Sequence, residues 1–100
     1  MRKISYHEAA EAELLTEVGY LELRRDGLGR RFLAEVRRAE NHMARFPQSA
    51  EEIRPGIRKR LLSKFRYALI YSLEQDQLLI LAVAHTSRRP GYWIDRVGQR

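Results

Sequence analysis

Apolar residues recur at steps of three and four through the first half of the chain, and at steps of two or in unbroken runs through the second half. Ala10, Leu14, Val18 and Leu21 share one side of a helix, while Glu8, Glu11, Glu13 and Glu17 face elsewhere. Ser5-Tyr6-His7-Glu8 has the spacing of a capping box, so this helix is predicted to begin near His7. Arg24-Arg25-Asp26-Gly27 then supplies cations for the helix C-terminus and a glycine to stop it. A second helix is predicted over about residues 29–45, burying Phe32, Val36, Ala39, Met43 and Phe46 and ended by Pro47. So short a connection makes the helices antiparallel, and a stripe on each requires a surface to cover.

That surface is predicted from the second half. Residues 47–56 read as loop, and three β-type runs follow at 56–63, 66–73 and 77–85. Glu74-Gln75-Asp76 is polar and turn-sized, so the last two runs form an antiparallel hairpin. Tyr67, Leu69 and Tyr71 alternate with Arg66, Ala68, Ile70 and Ser72; both sets are largely apolar near the centre, as in a central strand with one face under the helices. Ile4 to Tyr6 adds a short edge strand, and Pro90 before Gly91 and Tyr92 opens a short C-terminal helical segment. The expected fold class is α+β, an N-terminal helical hairpin packed on a small, mainly antiparallel sheet, in one domain spanning residues 1–100.

Composition adds a sign to this outline. Nineteen Lys and Arg against 13 Asp and Glu leave a formal charge of +6, which favours an acidic partner, nucleic acid or protein. The chain has no cysteine, which excludes a disulfide framework and thiolate metal or redox chemistry. No apolar run reaches about 18 residues and no signal-peptide core follows Met1, so the expected address is cytoplasmic, away from any membrane. His7 and His42 stand in no carboxylate–histidine spacing that suggests a metal site, and no metal or cofactor is expected.

The candidate chemistry lies near the end, where the apolar run 78–83 opens onto His85-Thr86-Ser87-Arg88-Arg89-Pro90-Gly91-Tyr92-Trp93. Together with Arg58-Lys59-Arg60 and Lys64-Phe65-Arg66-Tyr67-Ala68-Leu69-Ile70-Tyr71, and with the order strand, helix, helix, three strands, this run resembles the RelE/ParE superfamily of type II toxin–antitoxin toxins, often called plasmid stabilisation proteins. The resemblance covers nearly the whole chain. It implies one of two unrelated activities on one fold: RelE-like members are ribonucleases (mRNA interferases) that cut mRNA on the ribosome, whereas ParE-like members bind DNA gyrase without catalysis. A degenerate toxin that keeps only antitoxin binding is a third possibility.

For the ribonuclease, the resemblance assigns Arg66 to the phosphate, Lys59 to a strand cation, Arg88 or Arg89 to a further clamp, and Tyr92 or Trp93 to base stacking or proton transfer, with Arg58 and Arg60 as further candidates for binding substrate or phosphate. His85 is a candidate acid or base, because an unperturbed imidazole titrates near working pH. Metal-independent cleavage by the RNA's own 2′-hydroxyl needs such a proton acceptor, an acid and cations around the phosphorane. Two positions depart from the RelE-like set. Ile57 stands where a second strand cation belongs, with Arg58 and Arg60 on the opposite face of a regular strand, and Ser87 replaces an arginine after His85-Thr86. The same residues also have a structural account: Arg58, Lys59, Arg60 and Arg66 as solvated strand charges, His85 as a hydrogen-bonded strand end, Tyr92 and Trp93 as pins for the C-terminal segment.

The resemblance further implies a cognate antitoxin whose acidic, amphipathic segment covers the basic surface, and which alone brings the pair to operator DNA. Arg30, Arg31, Arg37 and Arg38 lie on the second helix, but its apolar stripe makes it a packing helix first.

Overall fold

The computed structural model describes residues 2–98. Its elements are β1 (Lys3–Tyr6), α1 (Glu8–Arg24), α2 (Leu28–Arg45), β2 (Glu51–Arg54), β3 (Ile57–Leu61), β4 (Tyr67–Leu73), β5 (Gln77–His85) and a 3₁₀ turn (Ile94–Arg96). The strands form one sheet in the order β1-β5-β4-β3-β2, with β1 parallel to β5 and every other neighbour antiparallel. This is the α+β arrangement expected from the apolar pattern, with β4 central and β1 at an edge.

Three local expectations are corrected. β2 occupies part of the stretch read as loop: Glu51-Glu52-Ile53-Arg54 is too short and polar to signal a strand, yet Pro55-Gly56, with φ 76° at Gly56, folds it back onto β3. Ser5 is not the helix cap, because its residue is consumed by pairing with β5 and its hydroxyl donates to Gln77. His7 caps α1 instead, its Nδ1 accepting from the Ala9 N–H at 3.0 Å. Phe46 follows α2 and is 53% exposed, since the helix has ended and the backbone there has left helical geometry, taking the ring off the buried stripe.

The helical hairpin closes through Glu22. Its two carboxylate oxygens accept from the N–H groups of Gly27 (2.7 Å) and Gly29 (2.9 Å), supplying the otherwise unpaired donors at the start of α2. The helices approach closely at Gly29, where a β-carbon would stand 2.4 Å from the Val18 carbonyl oxygen. Ala10, Leu14 and Leu21 of α1, with Phe32, Val36, Ala39 and Met43 of α2, then pack on Tyr67, Leu69, Tyr71, Leu78, Ile80 and Val83.

The other sheet face has its own smaller core, in which Trp93 covers Ile57, Ile70, Leu79, Leu81 and Ala82. Both faces of β5 are therefore buried, and a bulge decides which residue serves which. Ile70 pairs with Ala82 while Tyr71 pairs with Ile80, leaving Leu81 as the extra residue. Leu78, Ile80 and Val83 consequently all face the helices, although strict alternation would send Val83 to the other side.

Gly29→Ala is expected to cost about 2 kcal/mol, because its methyl meets backbone rather than a movable side chain. Urea denaturation checks this, and an unchanged midpoint would mean that the helices do not approach as described.

Candidate functional site

β1 accompanies β5 only from Gln77 to Ile80, so beyond that point one edge of β5 has no neighbouring strand. Its backbone groups still need partners. Val83 N–H donates to Glu13 Oε1 at 3.0 Å, and the Leu81 carbonyl accepts from Arg96 Nη1 at 2.9 Å. Glu13 and Arg96 also bind each other through both carboxylate oxygens, at 3.0 and 2.9 Å, and the Tyr92 hydroxyl donates to Glu13 Oε2 at 2.8 Å. Burial alone would raise the Glu13 carboxyl; hydrogen bonds from Arg96, Val83 and Tyr92, with the charge of Arg96, outweigh it and hold the group below its usual range. The Tyr92 phenol moves the other way, pushed up to about 12 by burial, by its bond to Glu13 and by that carboxylate's charge.

Anchored in this way, residues 85–93 form a wall beside the sheet face opposite the helices. A cleft of about 160 Å³ lies between wall and sheet. Lys59 of β3 enters it from the floor, beside Leu61, Ala68 and Ile70, while Arg88, Arg89, Tyr92 and Trp93 come from the wall. The Arg88 guanidinium carbon sits 3.9 Å from the centre of the Tyr92 ring, so the anchored phenol is also the platform on which this cation rests. Trp93 is 4% exposed and buried against the sheet, leaving little ring surface for a base to stack on.

The remaining candidates lie elsewhere. Arg66 is exposed and lines a separate concavity with Glu17, Lys64 and Tyr67, while its carbonyl accepts from Thr86 N–H at 2.9 Å. Arg58 donates to the carbonyls of Gln48 (3.1 Å) and Ala50 (2.7 Å), tying down the chain after α2. Arg60 reaches His42 Nδ1 at 2.5 Å, and Ile57 is buried in the same cluster as Trp93. His85 borders both concavities, with its ring edge-on to Tyr67 at 5.0 Å. Its Nδ1 accepts from Ser87 N–H at 3.0 Å, so in the neutral ring Nε2 carries the proton.

The cleft thus gathers three cations, an anchored phenol and a buried indole. It can hold an anion such as a phosphate or carboxylate; its phenol is tied to a carboxylate and shifted away from serving as a base at neutral pH. Glu13 and Arg96 escaped the sequence reading. Glu13 stands among acids assigned to the solvated side of α1, and no local pattern reveals that its partners lie 70 to 83 residues away.

A helical hairpin packs on a mixed sheet that is closed by a basic C-terminal wall. The family model described as the ParE toxin of the type II toxin–antitoxin system parDE matches residues 4–90, so the chain belongs to that family. A solved chain from a chromosomal ParDE toxin–antitoxin system of P. aeruginosa is similar in fold, with a TM-score of 0.71 at 14% identity, covering 85% of this chain and 96% of that one. No curated protein matches it significantly by sequence. Among the described residues no helix is long and apolar enough to cross a membrane.

The anchor makes a pH prediction. The depressed Glu13 value means that its stabilisation is complete above the unfolded carboxyl value, about 4.3, and is lost as pH falls through the lower folded value. Tyr92 contributes fully below about 10, its unfolded value, and that part is lost as pH rises through about 12. Glu13→Gln is expected to cost about 2 kcal/mol at neutral pH, a gap that narrows below about pH 4. Urea titrations of both proteins over pH measure it; a gap that stays constant into acid would remove Glu13 from this role.

Proposed function

We propose that this chain arrests growth by binding DNA gyrase through a protein interface, without cutting RNA, and is neutralised by a cognate antitoxin. The observation that carries the reading is the division of the basic residues. An RNA-cutting site needs its phosphate cations and its proton carriers around one phosphate, and a displacement of about 1 Å already costs much of the rate. Here Arg66 lines a different concavity from Lys59, Arg88 and Arg89. The Tyr92 hydroxyl is spent on Glu13, and the His85 Nδ1 on Ser87. The family match to a ParE toxin supports the same side of the choice.

A binding role asks less of these residues. Lys59, Arg88 and Arg89 on a firm wall suit acidic groups of a partner surface, where charge complementarity sets encounter rate and orientation. Leu61, 59% exposed at the rim of the same cleft, offers an apolar contact beside the cations.

Purified toxin is expected to inhibit supercoiling by gyrase, and Lys59→Glu combined with Arg88→Glu to weaken that inhibition at least about tenfold. In cells, induction is expected to bring DNA-damage signalling and elongation before protein synthesis falls. Prompt mRNA cleavage, abolished by Arg66→Ala, would overturn the binding reading in favour of the ribonuclease.

A further inference from the structure

Packing uses one side of α2 and turns the other side outward. Phe32, Val36, Ala39 and Met43 enter the core. On the outward side Arg30, Arg31, Arg37, Arg38 and Arg45 are exposed. Ala34, Asn41 and His42 are exposed between them. At about 100° per residue, all these positions fall within an arc of about 140° that contains no acid.

The arc has an internal order. Ala34 and Asn41 run along its middle, with Arg30 and Arg37 on one side and Arg31 and Arg38 on the other. The two arginines of each row stand about 10.5 Å apart along the axis, and Arg45 closes the C-terminal end near the midline, about 22 Å from Arg30. The helix itself does not call for this arrangement. Cations near a helix N-terminus oppose its dipole, yet the first turn of α2 has no acid and Arg30 and Arg31 stand at that end. Arg37 and Arg38 bridge Glu40 and Glu35, but those carboxylates are only 13% and 12% exposed and are also bound by Tyr6 and Ser63. The two arginines remain 53% and 66% exposed, so the acids are drawn inward while the cations stay outside.

Two rows of cations flanking a slim midline match two phosphate strands flanking a groove. The major groove of B-form DNA, about 12 Å wide, admits an α-helix, and contacts to the phosphates on its edges fix the helix in place. Ala34 lets the backbone approach, and the Asn41 amide offers a base edge both a donor and an acceptor. An RNA duplex fits less well, because its major groove is deep and narrow. Single strands are gripped by stacking rings, and the arc's one ring, His42, is bound to Arg60 at 2.5 Å. An amphipathic protein segment needs an apolar floor, and here the arc provides only Ala34.

We infer that the outward face of α2 seats in the major groove of duplex DNA, with its two arginine rows on the phosphates of opposite strands. The Lys59 cleft lies on the sheet face opposite the helices, so the contact leaves it open. The resemblance leaves DNA to the antitoxin; this helix gives the chain a DNA contact of its own, whatever its toxic target.

The test is fluorescence anisotropy of a short labelled DNA duplex of mixed sequence, titrated with the full chain at several salt concentrations. Wild type is expected to bind in the micromolar range, with log K falling against log salt at a slope of about −4, as for about four phosphate contacts. Arg31→Gln with Arg45→Gln, which spares both ion pairs, is expected to reduce that slope by about 2 and the affinity at least about tenfold. Ala34→Glu, which puts a carboxylate on the midline, is expected to abolish binding. Lys3→Gln with Arg54→Gln removes the same charge at exposed positions off the helix and is expected to stay within about threefold of wild type. Unchanged urea midpoints show that the variants fold.

A wild type that does not bind, a control that loses as much as the α2 variants, or an RNA duplex or single strand held as tightly as the DNA would overturn the inference. So would α2 variants that keep their DNA affinity, and if these lose gyrase inhibition instead, the face is a protein contact.

Discussion

The bond between Glu13 and Arg96 completes a strand edge that the sheet leaves unfinished. β5 has nine residues and its parallel neighbour β1 only four, so the outer half of β5 would lie beneath α1 with unpaired backbone groups. A carboxylate for the Val83 N–H and a guanidinium for the Leu81 carbonyl do what another strand would have done. Because Arg96 belongs to the 3₁₀ turn, the same pair fixes residues 94–96 across the sheet edge. Tyr92 then reaches Glu13, Arg88 rests on Tyr92, and Trp93 closes the second core. The cationic wall thus follows from a backbone problem in β5.

The bulge at Leu81 is the second decision made in that strand. It turns Val83 toward the helices, and His85 with it, onto the ring of Tyr67. Were the same residues to alternate strictly, with no bulge, the histidine would share the sheet face of Lys59. One residue of register therefore separates an imidazole facing the cationic cleft from one packed at its border.

Much of this architecture is legible in the amino-acid pattern. The helical stripes, the turn at 74–76 and the central position of β4 follow from periodicity, since each buries a face against something nearby in space and leaves polar residues on another. β5 shows the limit: with both faces buried, residues 78–84 are apolar throughout, and nothing marks where alternation changes phase. Glu13 shows another. A glutamate on α1 looks solvated until the chain end arrives, and that arrival depends on the whole fold. The basic candidates were legible as residue types and, for Lys59 against Arg58 and Arg60, as faces. Which of them share a cleft depends on loops whose paths the pattern does not encode.

An anchored tyrosine also bears on how one fold accommodates unrelated activities. A terminal phenol used in proton transfer must be free to meet its substrate, and its value must come down toward working pH. Tyr92 has been moved the opposite way, because burial and then its bond to Glu13 favour the neutral, hydrogen-bonded form. The exchange gives rigidity: Arg88 gains a fixed support and the wall a fixed shape, which favours a surface that must match a partner over one that must shuttle protons. Under the binding function proposed above, the residues that name the family persist while their work changes, and Glu13, outside that motif, holds the phenol as a strut.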